Sequence, residues 1–149
     1  MDPYAMNLRW STLESIAKTK AFDVWYLFPL SALSRVLPKG GNIPESTKEK
    51  ITYLLGTNEW EKEIYPESPQ LSLFGKPDTE RLPIEGIRKY VISRLNTIFH
   101  GVSEKALVLR NPQNNSPLFL LCFAVSNPSK PAINLSLKVA NYILTHKNL

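Results

Sequence analysis

Few side chains in this sequence have the types that make or break bonds, and their settings limit what they can do. Cys122 is the single cysteine and lies inside the apolar run 118–125. An apolar strand raises a thiol pKa, and neither histidine is close in sequence, so Cys122 reads as a core filler rather than a nucleophile. His100 stands just before Gly101 at the end of a helical pattern, where a cation answers the helix dipole, and His146 falls in the C-terminal tail. With one Cys and two His, a metal site built from those residues is not expected. Asn134-Leu135-Ser136 matches the glycosylation pattern, which carries meaning only in a secreted chain.

The net charge of +5 is uneven along the chain. Residues 1–75 hold eight Lys/Arg against nine Asp/Glu, residues 76–149 hold ten against four, and no acid follows Glu104. The second half is therefore expected to present a basic surface able to attract phosphate or an acidic protein. Arg88, Lys89 and Arg94, which fall off the apolar stripe of a long helix, and Arg110 are the nucleic-acid candidates. No aromatic platform is interleaved with them, so nucleic-acid binding should be weak and salt-sensitive.

These residues have to be carried by one domain, since 149 residues at 43% hydrophobic composition can build one sizeable core but not two. Residues 1–149 are expected as a single α/β domain. There is no apolar run of about 18 residues and no basic-then-apolar leader, so a cytoplasmic location without membrane insertion is expected. The organising stretch is 21–37. Its first part, Phe22-Asp23-Val24-Trp25-Tyr26-Leu27-Phe28, reads as a strand buried on both faces, which implies helices above and below it. Pro29 then turns the chain into a short helix with Leu30, Leu33 and Leu37 on one side.

Around that stretch the pattern is mainly helical. Ser11 and Glu14 form a capping box for a helix to about Lys20, with Leu13, Ile16 and Ala17 inward. A helix over 44–55 buries Ile51, Leu54 and Leu55 and ends at Gly56. Asn58 caps a shorter one over 59–65, anchored by Trp60 and Ile64. Pro, Ser, Gly and Gln mark 66–77 as the long loop. Pro83 opens the longest helix, carrying Ile84, Ile87, Val91, Leu95 and Ile98 inward and stopping at Gly101. Residues 105–110 and 117–126 form a hairpin around a polar loop, the second strand apolar throughout and so interior. Pro131 opens a last helix that buries Ile133, Leu137, Ala140 and Leu144.

That order of elements is the order of the C-terminal half of a Rossmann-like methyltransferase. The stretches Asp2-Pro3-Tyr4-Ala5-Met6, Asp23-Val24-Trp25-Tyr26-Leu27-Phe28-Pro29 and Leu118-Phe119-Leu120-Leu121-Cys122-Phe123-Ala124-Val125-Ser126-Asn127-Pro128 resemble the three-Cys-motif partner protein family, bacterial proteins related to S-adenosylmethionine-dependent methyltransferases. The resemblance implies a small mixed sheet of three main strands, the hairpin strand antiparallel, with helices on both faces. It also implies a site: an acidic-Pro-aromatic motif that faces methyl donor and substrate would here be Asp2, Pro3 and Tyr4, with Asp2 accepting an exocyclic amino group and Tyr4 stacking on a flipped base. These three are the candidate catalytic residues. A donor site of this kind needs a Gly-rich turn after its first strand, and this chain has no G-x-G. A partial methyltransferase-like protein is implied, related to nucleic-acid methylation, inactive alone and binding S-adenosylmethionine only when the donor half is supplied.

Gln70-Leu71-Ser72-Leu73-Phe74 resembles the pentapeptide by which bacterial replication and repair proteins dock on the DNA sliding clamp. Gln70 would be the anchor, with Leu71, Leu73 and Phe74 as the apolar contacts; the same apolar residues could instead pin the loop to the domain as an Ω-type closure. A half-enzyme and a non-enzymatic binding module for nucleic acid or a protein partner are thus the two functional expectations. The resemblance also makes the strand 22–28 a neighbour of 117–126 on one side and leaves its other edge without a partner. A homodimer, or a complementary N-terminal half, is expected there, and a Lys at Val24 or Leu27 is expected to break the dimer.

Overall fold

The computed structural model describes residues 6–71 and 77–146. Its elements in chain order are α1 (Trp10–Lys18), β1 (Asp23–Phe28), α2 (Leu30–Val36), α3 (Glu45–Leu55), α4 (Trp60–Ile64), β2 (Glu67–Leu71), β3 (Pro77–Thr79), α5 (Ile84–Asn96), β4 (Gly101–Val102), β5 (Leu107–Arg110), β6 (Pro117–Val125) and α6 (Lys130–Thr145). The fold is α/β, and helices cover both faces of its sheet.

That sheet is built on β6, whose apolar residues allow neighbours on both edges. β1 pairs along one edge, Asp23 opposite Val125 through Phe28 opposite Leu120. β4 and β5 share the other, with Val102 opposite Ala124 and Leu107 opposite Leu121. β6 is interior, as its sequence requires. Every observed pair is antiparallel and there are four strands rather than three, which corrects the mixed sheet: parallel pairing would need a further neighbour on β1, and among the described residues none is present.

Strand alternation splits β6 between two cores. Leu120, Cys122 and Ala124 point into the larger one, with Tyr26, Phe28, Leu30, Leu33, Ile51, Leu54, Trp60, Ile87, Val91 and Leu95. Phe123 and Val125 point the other way, into a small core closed by Ala140 and Leu144 of α6, with Ile133 and Leu137 packed against it. The expected apolar faces of α2, α3, α4, α5 and α6 are therefore in place.

Four local expectations are corrected. β1 is buried on one face only: Tyr26 and Phe28 are inside, while Trp25 and Leu27 are exposed, because α6 packs mainly over β6 and β4 and reaches β1 at Asp23. Residues 66–77 are not one loop, since β2 and β3 pair as a two-stranded ribbon with an irregular register. A ribbon outside the main sheet tolerates proline and needs no apolar alternation, so composition hid it. Gly101 does not stop α5, which ends at Asn96; it starts β4, where a Cβ would lie 2.7 Å from Ile133 Cγ2. Finally, neither Ser11 nor Asn58 caps a helix: the N-cap positions are Arg9 and Glu59, without side-chain bonds.

Gly56 is needed for a double reason. It adopts φ +69°, the left-handed conformation that ends α3. A Cβ there would also sit 2.1 Å from Trp10 Cδ1, so the glycine lets α1 lie against the end of α3.

Candidate functional site

The four arginines of the second half, Arg81, Arg88, Arg94 and Arg110, are all spent on the fold. Arg88 turns two nitrogens to the Glu85 carboxylate, with Nε at 2.9 and 3.0 Å, and gives Nη1 to Glu104 O at 2.7 Å. The same contact lowers the Glu85 pKa, chiefly through the hydrogen bond from Arg88. Arg94 donates Nε to Leu55 O (3.0 Å) and Nη2 to Gly56 O (3.3 Å), closing the C-terminal carbonyls of α3, and stacks 4.8 Å from the Trp10 ring centroid. Arg110 donates to Asn115 O at 3.1 Å across the hairpin loop. Lys89 lines a shallow groove of about 460 Å³ with Arg88, Asn96, Glu104 and Lys105. Of the four nucleic-acid candidates, three thus act as internal donors, and the four do not form one phosphate-facing row.

Sequence reasoning missed Arg81, which donates Nη1 to Ser34 O (2.9 Å) and Leu37 O (2.7 Å) at the end of α2. It also missed Ser126, which is buried, accepts Phe22 N–H at 2.9 Å and donates to Phe22 O at 2.7 Å. The latter clamp fixes where β1 begins. An arginine three residues after Asp78 or a serine at a strand end carries no sequence signal of such a role.

Cys122 and the histidines are also accounted for. The thiol is buried, and burial pushes its pKa up to about 12, so it is not poised as a nucleophile. Opposite it, the Tyr26 hydroxyl is buried and has its pKa raised by burial and then by Cys122. His100 lies beyond the end of α5 rather than in its last turn, and its Nδ1 meets Ser126 O at 2.9 Å, so the helix-dipole role is corrected to a strand-end tether. His146 stacks on Tyr142 at 4.0 Å.

Asp2, Pro3 and Tyr4 lie outside the described residues, as do Leu73 and Phe74. Gln70 and Leu71 fall in β2, and Leu71 is paired with Pro77. Among the described residues there is no cluster of three or more His, Cys, Asp or Glu suited to a metal, and no helix is long and apolar enough to cross a membrane.

The remaining chemistry is at the outer edge of β1. Phe22 O accepts Ser126 N–H at 3.1 Å, while the carbonyls of Phe123 and Val125 accept N–H groups of Ser103 and His100 on the β4 side. The period of two then directs the N–H and C=O of Val24, Tyr26 and Phe28 to β6, and those of Asp23, Trp25 and Leu27 outward. Among the described residues no strand pairs with that edge. On the α6 side, Trp25 stacks on Phe123 with centroids 4.7 Å apart, and Ser136 Oγ of α6 donates to Asp23 Oδ2 at 2.8 Å. Helical spacing places Val139 and Ile143 on the Ser136 flank, and both are exposed. Trp25 and Leu27 therefore floor an apolar strip whose wall is α6. Comparison with protein-family models, curated proteins and solved structures finds no match.

Proposed function

We propose that this chain is the substrate-side, C-terminal half of a methyltransferase-like protein of the three-Cys-motif partner kind, without activity of its own. The observation that supports this reading is the sheet. The hairpin strand β6 runs reversed between β1 and the β4/β5 pair, so β1 and β5 point the same way on either side of an antiparallel strand. The resemblance implies that arrangement for the end of a Rossmann-like sheet, and it implies a missing neighbour at the edge of β1 that stands open here. In this reading Asp2, Pro3 and Tyr4 meet an amino group of the substrate, and nucleic acid is the substrate class.

The residues present do not fit the methyl donor. A donor turn needs glycine between a strand and the helix after it, whereas β1 passes to α2 through Pro29, which has no N–H to offer. Gly56 follows a helix and Gly86 lies within one. No step of methyl transfer is assigned to this chain alone.

A stand-alone nucleic-acid module is less well supported, because Arg88, Arg94 and Arg110 already donate to carbonyls or to Glu85. Clamp docking through residues 70–74 is also less well supported, because a docking peptide must be available as an extended segment and Gln70 and Leu71 belong to a paired strand.

Calorimetric titration of the purified chain with S-adenosylmethionine tests the half-enzyme reading. No binding is expected for the chain alone, and donor binding is expected only when a polypeptide carrying the Gly-rich donor-binding half is supplied. Micromolar binding by the chain alone would overturn the proposal.

A further inference from the structure

Along the outer edge of β1, backbone and side chains present a surface that none of the described residues fills. The outward N–H and C=O groups of Asp23, Trp25 and Leu27 form a template for another strand. Beside them Trp25 and Leu27 are 44% and 51% exposed, and Val139 and Ile143, one and two turns beyond Ser136 on α6, are 53% and 42% exposed. We infer that a second copy of this chain covers this strip, β1 pairing antiparallel with β1 of the copy about a two-fold axis normal to the sheet, so that two four-stranded sheets join into one. The inference does not rest on the methyltransferase reading.

Geometry makes the strand complementary to itself. Residues opposite each other in an antiparallel pair point to the same face, so the axis has to pass through a residue and not between two. Centred on Trp25, it sets Asp23 against Leu27 of the copy and Trp25 against its counterpart, and every outward donor meets an acceptor. Centred on Tyr26, it would set Asp23 against Pro29 and leave groups unmatched. The chosen register brings the two Trp25 rings together on the α6 side, and the two α6 helices wall a shared groove.

Charge agrees with this occupant. Asp23 is the one charged residue of β1, its carboxylate is held by Ser136, and in this register it faces Leu27, so two chains of net charge +5 meet at a place without like charges. The structure also separates the two lysine substitutions that the sequence put together. Val24 packs against the large core, so Lys there attacks the fold, whereas Leu27 faces the strip.

Sedimentation velocity of the full chain at tens of micromolar tests the inference. Wild type is expected as a dimer and Leu27→Lys as a monomer with unchanged circular dichroism. Should that variant not fold, Val139→Glu places a charge on the α6 wall without touching β1, and its dimer dissociation constant is expected to rise at least about tenfold. A monomeric wild type at that concentration would overturn the inference. So would a dimer indifferent to both substitutions, or a chain that stays monomeric alone and forms a one-to-one complex only with a separate donor-binding protein.

Discussion

The two faces of the sheet are covered unequally. One face of β6 looks into a continuous core to which five helices contribute, including Phe28, Leu30, Leu33, Ile51, Trp60 and Leu95; among the described residues the other is covered by α6, over Phe123, Val125, Ala140 and Leu144. The thick side covers its own apolar side chains, and Arg81 and Arg94 close the carbonyls at the ends of α2 and α3, while the buried hydroxyls of Tyr26 and Tyr90 are left without a partner. The thin side does not, since α6 is apolar over a wider arc than β6 and β4 can cover. Its surplus, Val139 and Ile143, lies toward the edge where Trp25 and Leu27 are also uncovered. A face finished from within marks the folding core, and a face left with matched apolar and backbone surplus marks where something else binds.

If that contrast is right, the largest losses of stability come from the thick side. Gly56→Ala forces a left-handed residue and drives a Cβ into the Trp10 ring, and should cost about 2–5 kcal/mol from backbone strain and overpacking together, read as a lower urea midpoint. Leu30→Ala, at a fully buried position, should cost about 3–5 kcal/mol, whereas Leu144→Ala on the thin side should cost about 2 kcal/mol because α6 can settle toward the sheet. Equal losses at the two leucines would remove the contrast. Smaller still, Val139→Ser on the uncovered flank should change the stability of the dilute monomer by no more than about 0.5 kcal/mol, and a larger loss would mean that the residue is already covered within the chain.

The smallest expected effect is electrostatic. Glu85 has its pKa lowered by Arg88, so their contact contributes fully above the unfolded-state carboxylate pKa and is lost as pH falls through the lower folded value. Arg88→Ala should lower stability slightly and by a constant amount at neutral to alkaline pH, and flatten the fall of stability in that acid window. Glu85 is solvent-exposed, so the difference should shrink with added salt.

Much of this was legible from residue patterns, for reasons that differ by element. Helices α2 to α6 were readable because their apolar residues recur at three and four and Pro29, Pro44, Pro83 and Pro131 stand at or near their starts. The interior position of β6 was readable because both of its faces are apolar. The same criterion failed at β1, whose equally apolar run has one face in the core and one at the surface; hydrophobicity reports that a side chain wants cover, not whether this chain supplies it. The basic candidates failed for a related reason. Arg88, Arg94 and Arg110 were visible as charge, but a guanidinium reaching a carbonyl distant in sequence leaves no periodic trace. The ribbon β2–β3 was hidden because its pairing is made by backbone in a stretch rich in Pro and Ser.

The most direct test is residue-resolved amide hydrogen exchange along β1 at two protein concentrations. In dilute solution Val24, Tyr26 and Phe28, bonded to β6, should exchange slowly and Asp23, Trp25 and Leu27 fast; on concentration the second set should become slow as well. Six slow amides at every dilution would show that the edge is filled within the chain, and an outer set that stays fast at high concentration would show that no second copy fills it; either result would contradict the account.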